Sequence, residues 1–299
     1  MRGHSEHIAE HIAREDLASP VPGPAALDVY RAAVADLLLD IAGQAGPDDA
    51  AKAEAILVER TREPEIGDLL AATPDGADGA VGRLLAEVRG FRPGPRSGVA
   101  DLGALVRAVL LSQIEVAWWG HLPPYRTDAG LRAAAGLADL ERLRRRGGVG
   151  FWYRRPARNP VTRVAQAACR WAWPDRGPAC PGSPYARARP EVVALLNQVA
   201  WQLDRRVDGA VGSLWVTGFA RSEPRQRRLR ALGYPEFLPS AHCAGYAADV
   251  AMAWLRRVEA HGTLAALLLE RQRAGDLNVI DEGPTWHVCV SPSAAYDLR

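Results

Sequence analysis

Residues 24–45 (GPAALDVYRAAVADLLLDIAGQ, read with their flanks) place Leu27, Tyr30, Val34, Leu37 and Leu38 three to four positions apart behind a proline entry, which predicts an amphipathic helix. The same period returns at about 48–60, 78–90, 99–119 and 128–146. The runs are separated by Gly/Pro punctuation such as Thr73-Pro74-Asp75-Gly76 and Phe91-Arg92-Pro93-Gly94-Pro95. The first half is therefore expected to be mostly helical, and no internal repeat of fixed period is visible. From about residue 188 the texture alternates. A helix is expected at 190–205, a strand at 213–218, a short basic helix at 224–232, a strand at 246–252, a long helix at 253–273, and two closing strands at 277–281 and 285–290.

These elements predict an α+β chain: a mostly helical N-terminal region followed by a small antiparallel sheet with packed helices. The boundaries that follow are a helical domain at 1–146 of open role, a Pro/Arg/Trp-rich connection at 147–189, and an α+β domain at 190–299. In the connection, Trp152, Tyr153, Trp171, Trp173 and Tyr185 alternate with Arg154, Arg155, Arg158, Arg163, Arg170 and Arg176. Such mixtures can stack on single-stranded nucleic acid. The prolines and tryptophans fit an inter-domain connection better, so no nucleic-acid partner is expected.

Composition changes the picture little. A chain that is 48% hydrophobic and 24% charged, with a formal net charge of +2, has the profile of a folded globular protein and gives no electrostatic case for a polyanionic partner. Met1 to Glu15 are polar and carry no apolar stretch of the signal-peptide kind. The most apolar run, Leu102 to Trp119, is interrupted by Arg107, Gln113 and Glu115, so no membrane span is expected. Cysteines 169, 180, 243 and 289 are too few and too scattered for a disulfide scaffold. Cytoplasmic residence is the expectation, with Cys169 and Cys180 as thiols, although a bridge closing so short a loop would add roughly 3 kcal/mol in an oxidising compartment.

One segment carries chemistry. Ser240-Ala241-His242-Cys243-Ala244-Gly245-Tyr246-Ala247-Ala248-Asp249 is followed on a terminal strand by His287. Two imidazoles and a carboxylate are a ligand set that catalytic zinc takes while leaving a position for water. The small residues Ala244, Gly245, Ala247 and Ala248 allow the tight turn and close packing needed for His242 and Asp249 to converge. Taken singly, each residue has a plainer reading: a hydrogen-bonded loop histidine, a helix N-cap at Asp249, an ordinary strand residue at His287. Cys289, two residues beyond His287 on the same strand face, reads as a small buried hydrophobe near the site.

The string S-x-H-x-x-G-x-A-x-D formed by Ser240, His242, Gly245, Ala247 and Asp249 resembles the zinc D-Ala-D-Ala carboxypeptidases and dipeptidases, whose fold is shared with the hedgehog signalling domain. The resemblance covers about 190–299. It implies a zinc metallopeptidase, with His242, Asp249 and His287 as metal ligands and Zn2+ as cofactor. It further implies Glu282 as general base, Ser240 as a holder of a substrate terminus, and Arg221, in Val216-Thr217-Gly218-Phe219-Ala220-Arg221-Ser222, as the stabiliser of the reacting carbonyl. In the family two residues separate the base from the final histidine. Here Gly283, Pro284, Thr285 and Trp286 intervene, so a bulge is expected between Glu282 and His287.

The implied reaction is hydrolysis of a peptide bond in peptidoglycan stem peptides or D-Ala-D-Ala-like peptides. Because peptidoglycan lies outside the membrane, that substrate pulls against a cytoplasmic location and would require a non-classical export route or a cytoplasmic peptide. The alternative in a different class is a catalytically inactive zinc-containing binding module of the same fold, which a fourth protein ligand such as Cys243 or Cys289 would favour. A second metal motif, the inverted zincin pattern H-x-x-E-H at His7-Ile8-Ala9-Glu10-His11, sits where no cleft is expected to enclose it, and His4, His7 and His11 read as a solvated helical face.

Overall fold

The computed structural model describes residues 22–45, 49–92, 99–153, 185–207, 214–232, 237–257 and 259–299, together with Val161 and Val164. The H-x-x-E-H motif, Cys169, Cys180 and most of the arginine- and tryptophan-rich connection lie outside the described residues.

The described helices of the first half are α1 (Pro24–Gln44), α2 (Ala50–Arg60), α3 (Pro64–Ala71), α4 (Gly76–Gly90) and α5 (Leu102–Trp119). Each buries the stripe its periodicity marks: Leu27, Tyr30, Val34, Leu37 and Ile41 on α1, and Ala80, Leu84 and Val88 on α4. Helix α3 begins at a proline in its first turn and was not anticipated, because its eight residues are too short to display a period. Helix α5 starts on the Asp101 carboxylate, which accepts from the Ala104 amide at 2.8 Å, and it is buried on almost every side. By length and hydropathy it alone among the described helices could cross a membrane, yet 61% of that stretch is buried inside the protein. Helices α1 and α4 and strand β6 all pack on it, which is why its apolar residues are not confined to one face.

The expected helix at 128–146 is two short ones, α6 (Asp128–Ala133) and α7 (Leu140–Arg145), with strand β1 (Ala138–Asp139) between them. Pairing decides this break: β1 runs antiparallel to β3 (Arg187–Ala188), a partner that local spacing cannot reveal. After β2 (Trp152–Tyr153) and β3 come α8 (Pro190–Arg206), β4 (Trp215–Gly218), α9 (Glu223–Ala231), α10 (Ala241–Ala244) and β5 (Ala247–Val250). The expected long helix at 253–273 is divided into α11 (Met252–Arg256) and α12 (His261–Arg273), with Glu259 between them at a φ of 55°. Strands β6 (Leu277–Asp281) and β7 (Trp286–Val290) and a closing helix α13 (Pro292–Asp297) complete the chain.

The main sheet has five strands in the order β2-β4-β5-β7-β6. It is antiparallel except at one edge, where β2 pairs in parallel with β4, a correction to the all-antiparallel expectation. The connection from β2 to β4 contains α8 and is long enough for the crossover a parallel pair needs. Helices α8 and α12 pack on each other and on β7 and β6 respectively. Residues from α1 through α5 share one apolar cluster with those of α8, α12 and the sheet, so the two stretches divided by composition bury their hydrophobic faces against each other.

Candidate metal centre

The Ser240–Asp249 motif is a capped helical turn feeding a strand. The Ser240 hydroxyl accepts from the His242 amide at 3.3 Å and starts α10, and Gly245, at a φ of 88°, ends it. A side chain at Gly245 would be strained by that φ and would also press on Leu137. The expected loop histidine therefore sits on a short helix, which turns His242 back over β5. Ala247 and Ala248 are fully buried in the middle of the sheet. Asp249 stands on β5 directly opposite His287 on β7, and the plainer reading of Asp249 as a helix cap does not hold, since it lies within a strand.

His242, Asp249 and His287 are all buried, and one ligand atom from each lies within 4.8 Å of the others. His242 Nε2 is 2.9 Å from Asp249 Oδ1, His287 Nδ1 is 3.4 Å from the same oxygen, and the two rings meet edge to face at 4.8 Å. Each imidazole is held at its far nitrogen. His242 Nδ1 donates to the Phe219 carbonyl at 2.9 Å, and His287 Nε2 donates to Glu115 Oε2 at 2.8 Å. A carbonyl or carboxylate oxygen can only accept, so in the neutral rings the lone pairs are on His242 Nε2 and His287 Nδ1, the two atoms that face Asp249. Two imidazole lone pairs and a carboxylate oxygen pointed at one another repel unless a proton or a cation lies among them. This is the donor set and outer hydrogen bonding of a histidine–carboxylate metal site, and the group fits a metal ion.

Charge follows the same geometry. Burial first, and then the Arg221 guanidinium, push the His242 pKa below its ordinary value. Burial alone would raise Asp249, but Arg221 and His242 outweigh it and hold the carboxyl well below the usual range. Burial opposes charge on His287 too, yet Glu115 and Asp249 overcome it and lift that pKa well above normal. A carboxylate and a neutral His242 are thus ready ligands, whereas His287 must give up a proton to a metal.

Arg221 donates to Asp249 Oδ2, the oxygen turned away from His242, and at 3.3 Å to Gln226 Oε1. Gly218 makes room for this pair. Strands β4 and β5 shift register between Val216 and Gly218, a bulge that brings Gly218 opposite Asp249, and a Cβ there would collide with the Asp249 carboxylate and the Arg221 guanidinium. Local spacing carries no sign of this role for Gly218.

His242 and His287 border a cleft whose wall includes Ser112, Glu115, Gln226, Ser240 and Glu282; Asp249 sits behind the two imidazoles, and neither it nor Arg221 lines the cleft. Glu282 follows the end of β6. Where a bulge was expected, Glu282 to Thr285 form a tight hairpin turn, with the Glu282 amide donating to the Thr285 carbonyl at 3.1 Å and Gly283 at a φ of 79°. Because Ile280 is paired with His287, alternation puts Glu282 on the His287 side of the sheet. Asp281 points elsewhere: it is exposed and accepts from the Gly283 amide at 2.7 Å, serving the turn. Ser240 lies on the cleft wall and accepts at 3.2 Å from Gln226 Nε2. Cys243 and Cys289 are buried thiols, and among the described residues neither joins the metal-capable group.

Glu115, Gln226 and Asn278 belong to the site and were missed. Glu115 stood out only as a charge interrupting an apolar run, and that was the available signal: a carboxylate 3% exposed on a core helix needs a partner. Comparison with protein-family models, curated proteins and solved structures gives no match.

Proposed function

We propose that the chain is a zinc-dependent peptidase of the hedgehog/D-Ala-D-Ala-peptidase fold, cleaving a peptide bond in peptidoglycan stem peptides or D-Ala-D-Ala-like peptides. The observation that carries the reading is the convergence of two oriented imidazole lone pairs on one carboxylate oxygen, with both histidines on the wall of a cleft that also holds a further carboxylate, Glu282. His242, Asp249 and His287 would hold the ion, and when bound it supplies Lewis acidity to a peptide carbonyl and an activated water.

The remaining roles fall to the chain itself. Glu282 takes a proton from the attacking water and delivers it to the leaving amine. Ser240, at the mouth of α10, holds a substrate terminus through its hydroxyl. Arg221 acts through Asp249: its contact with the outer oxygen keeps that carboxylate charged and aimed.

The test is metal content and turnover on the same preparation: zinc per chain, then release of amine from a panel of D,D- and L,D-dipeptides and stem peptides. Close to one zinc per chain with cleavage of a member of the panel is the expected result. Zinc without cleavage of any peptide would turn the protein into a binding module of this fold, and a chain that takes no metal would remove the reading altogether.

A further inference from the structure

We propose that Glu115, on helix α5, is the positioning residue that fixes His287 as a metal ligand, so that the helical half of the chain completes the metal site. This rests on the metal reading above and adds to it a residue from outside the region that carries the ligand motif.

The geometry around Glu115 requires a carboxylate. Its Oε2 accepts from His287 Nε2 at 2.8 Å, and its Oε1 accepts from Asn278 Nδ2 at 3.0 Å. Asn278 cannot turn its amide over without loss, because the same Nδ2 donates to the Leu111 carbonyl at 3.1 Å while its Oδ1 accepts from Arg31 at 3.3 Å. Both neighbours of Glu115 are therefore donors, in a place where Asn278 is fully buried. A glutamine would set its own amide hydrogens against one of them. A buried donor without an acceptor is costly enough to move a side chain. Since His287 is held at its far nitrogen by this contact, Glu115 dictates which nitrogen carries the hydrogen and which one faces Asp249. Phe219, through its backbone, does the same for His242.

The consequence is that metal affinity depends on α5. Zinc affinity is measured by chelator competition on the full chain for wild type, Glu115→Gln and Leu110→Ala. The last removes apolar contacts from the same helix and does not border the cleft. Glu115→Gln is expected to weaken zinc by about 10- to 100-fold, the usual scale for a partner of a metal-bound histidine. Leu110→Ala should lower the melting temperature with zinc affinity within about threefold of wild type. In zinc-loaded wild type the His287 Nε2–H resonance should be visible by NMR, sheltered by its bond to Glu115, and in Glu115→Gln it should broaden into solvent exchange.

Unchanged affinity and an unchanged Nε2–H signal in Glu115→Gln overturn the proposal, as does an equal loss of affinity in Leu110→Ala. If Glu115→Gln does not fold, Asn278→Ala probes the same clamp from its other side: several-fold weaker zinc supports it and unaltered affinity overturns it. A wild type that binds no zinc defeats the metal reading itself, whereas a zinc-binding wild type with an indifferent Glu115→Gln defeats only the role of Glu115.

Discussion

The strand wall of the site and its helix wall arrive at the same cleft by different means. On the strand side, His242 and Asp249 belong to one short motif whose shape is set locally: a serine cap, a left-handed glycine and a pair of fully buried alanines. On the helix side, Glu115 reaches His287 from a position 172 residues away, and it is in place only because α5 is packed between α1, α4 and β6. The two histidines show the difference in small. His242 is oriented by a main-chain carbonyl, which no substitution removes, and His287 by a side chain, which one substitution can. On the proposed reading the strand wall supplies ligands, and the helix wall sets how well one of them binds.

The largest effect should come from breaking the strand wall. His242→Ala or His287→Ala is expected to take zinc from close to one per chain to near zero and to abolish cleavage. Metal analysis of the purified variants decides it, and full retention in both would end the assignment. Next is Glu282→Gln, which should keep the metal while turnover falls by about two to four orders of magnitude, as for loss of a general base. Asp281→Asn is the matched control, since that side chain serves the hairpin turn, and its rate should stay near wild type.

Gly218→Ala sharpens the comparison from the far side of Asp249. The added methyl would displace the carboxylate or Arg221, and overpacking of this kind costs about 1–3 kcal/mol. A lower melting temperature together with weaker zinc binding is expected, and a variant with both unchanged would show that the bulge has slack. The smallest effect is with pH. His287 holds its proton at neutral pH in the metal-free protein because its pKa is raised, so zinc must displace it. Zinc binding at pH 7 should release about one proton, seen calorimetrically in buffers of different ionisation enthalpy. Affinity should fall about tenfold per pH unit as acid is added, and level off only when pH rises through the raised pKa.

Much of the local order was readable in advance. The stripes of α1, α4 and α8 and the two closing strands follow from spacing and residue type, because helical period and strand alternation are properties of neighbouring residues, whereas the grouping of His242, Asp249 and His287 came from the resemblance of the Ser240–Asp249 string to a known family. What failed were features settled by distant pairing. The split of 128–146 depends on β1 finding β3, and the parallel edge depends on β2 finding β4. The assignment of Arg221 to Asp249 rather than to the cleft depends on the bulge at Gly218.

The sequence by itself determined the candidate ligand types and the turn that presents two of them, since a capped four-residue helix and an alanine-rich strand are local solutions that Ser240, Gly245, Ala247 and Ala248 impose. Only the tertiary structure decided that a carboxylate buried in the most apolar helix would be the partner of His287, and that Asp281 would face away while Glu282 faced the cleft. The physical reason is that a buried charge must find its counterpart through the fold, and which counterpart lies within hydrogen-bonding reach is fixed by how helices and sheet pack, not by how far apart they stand in the chain.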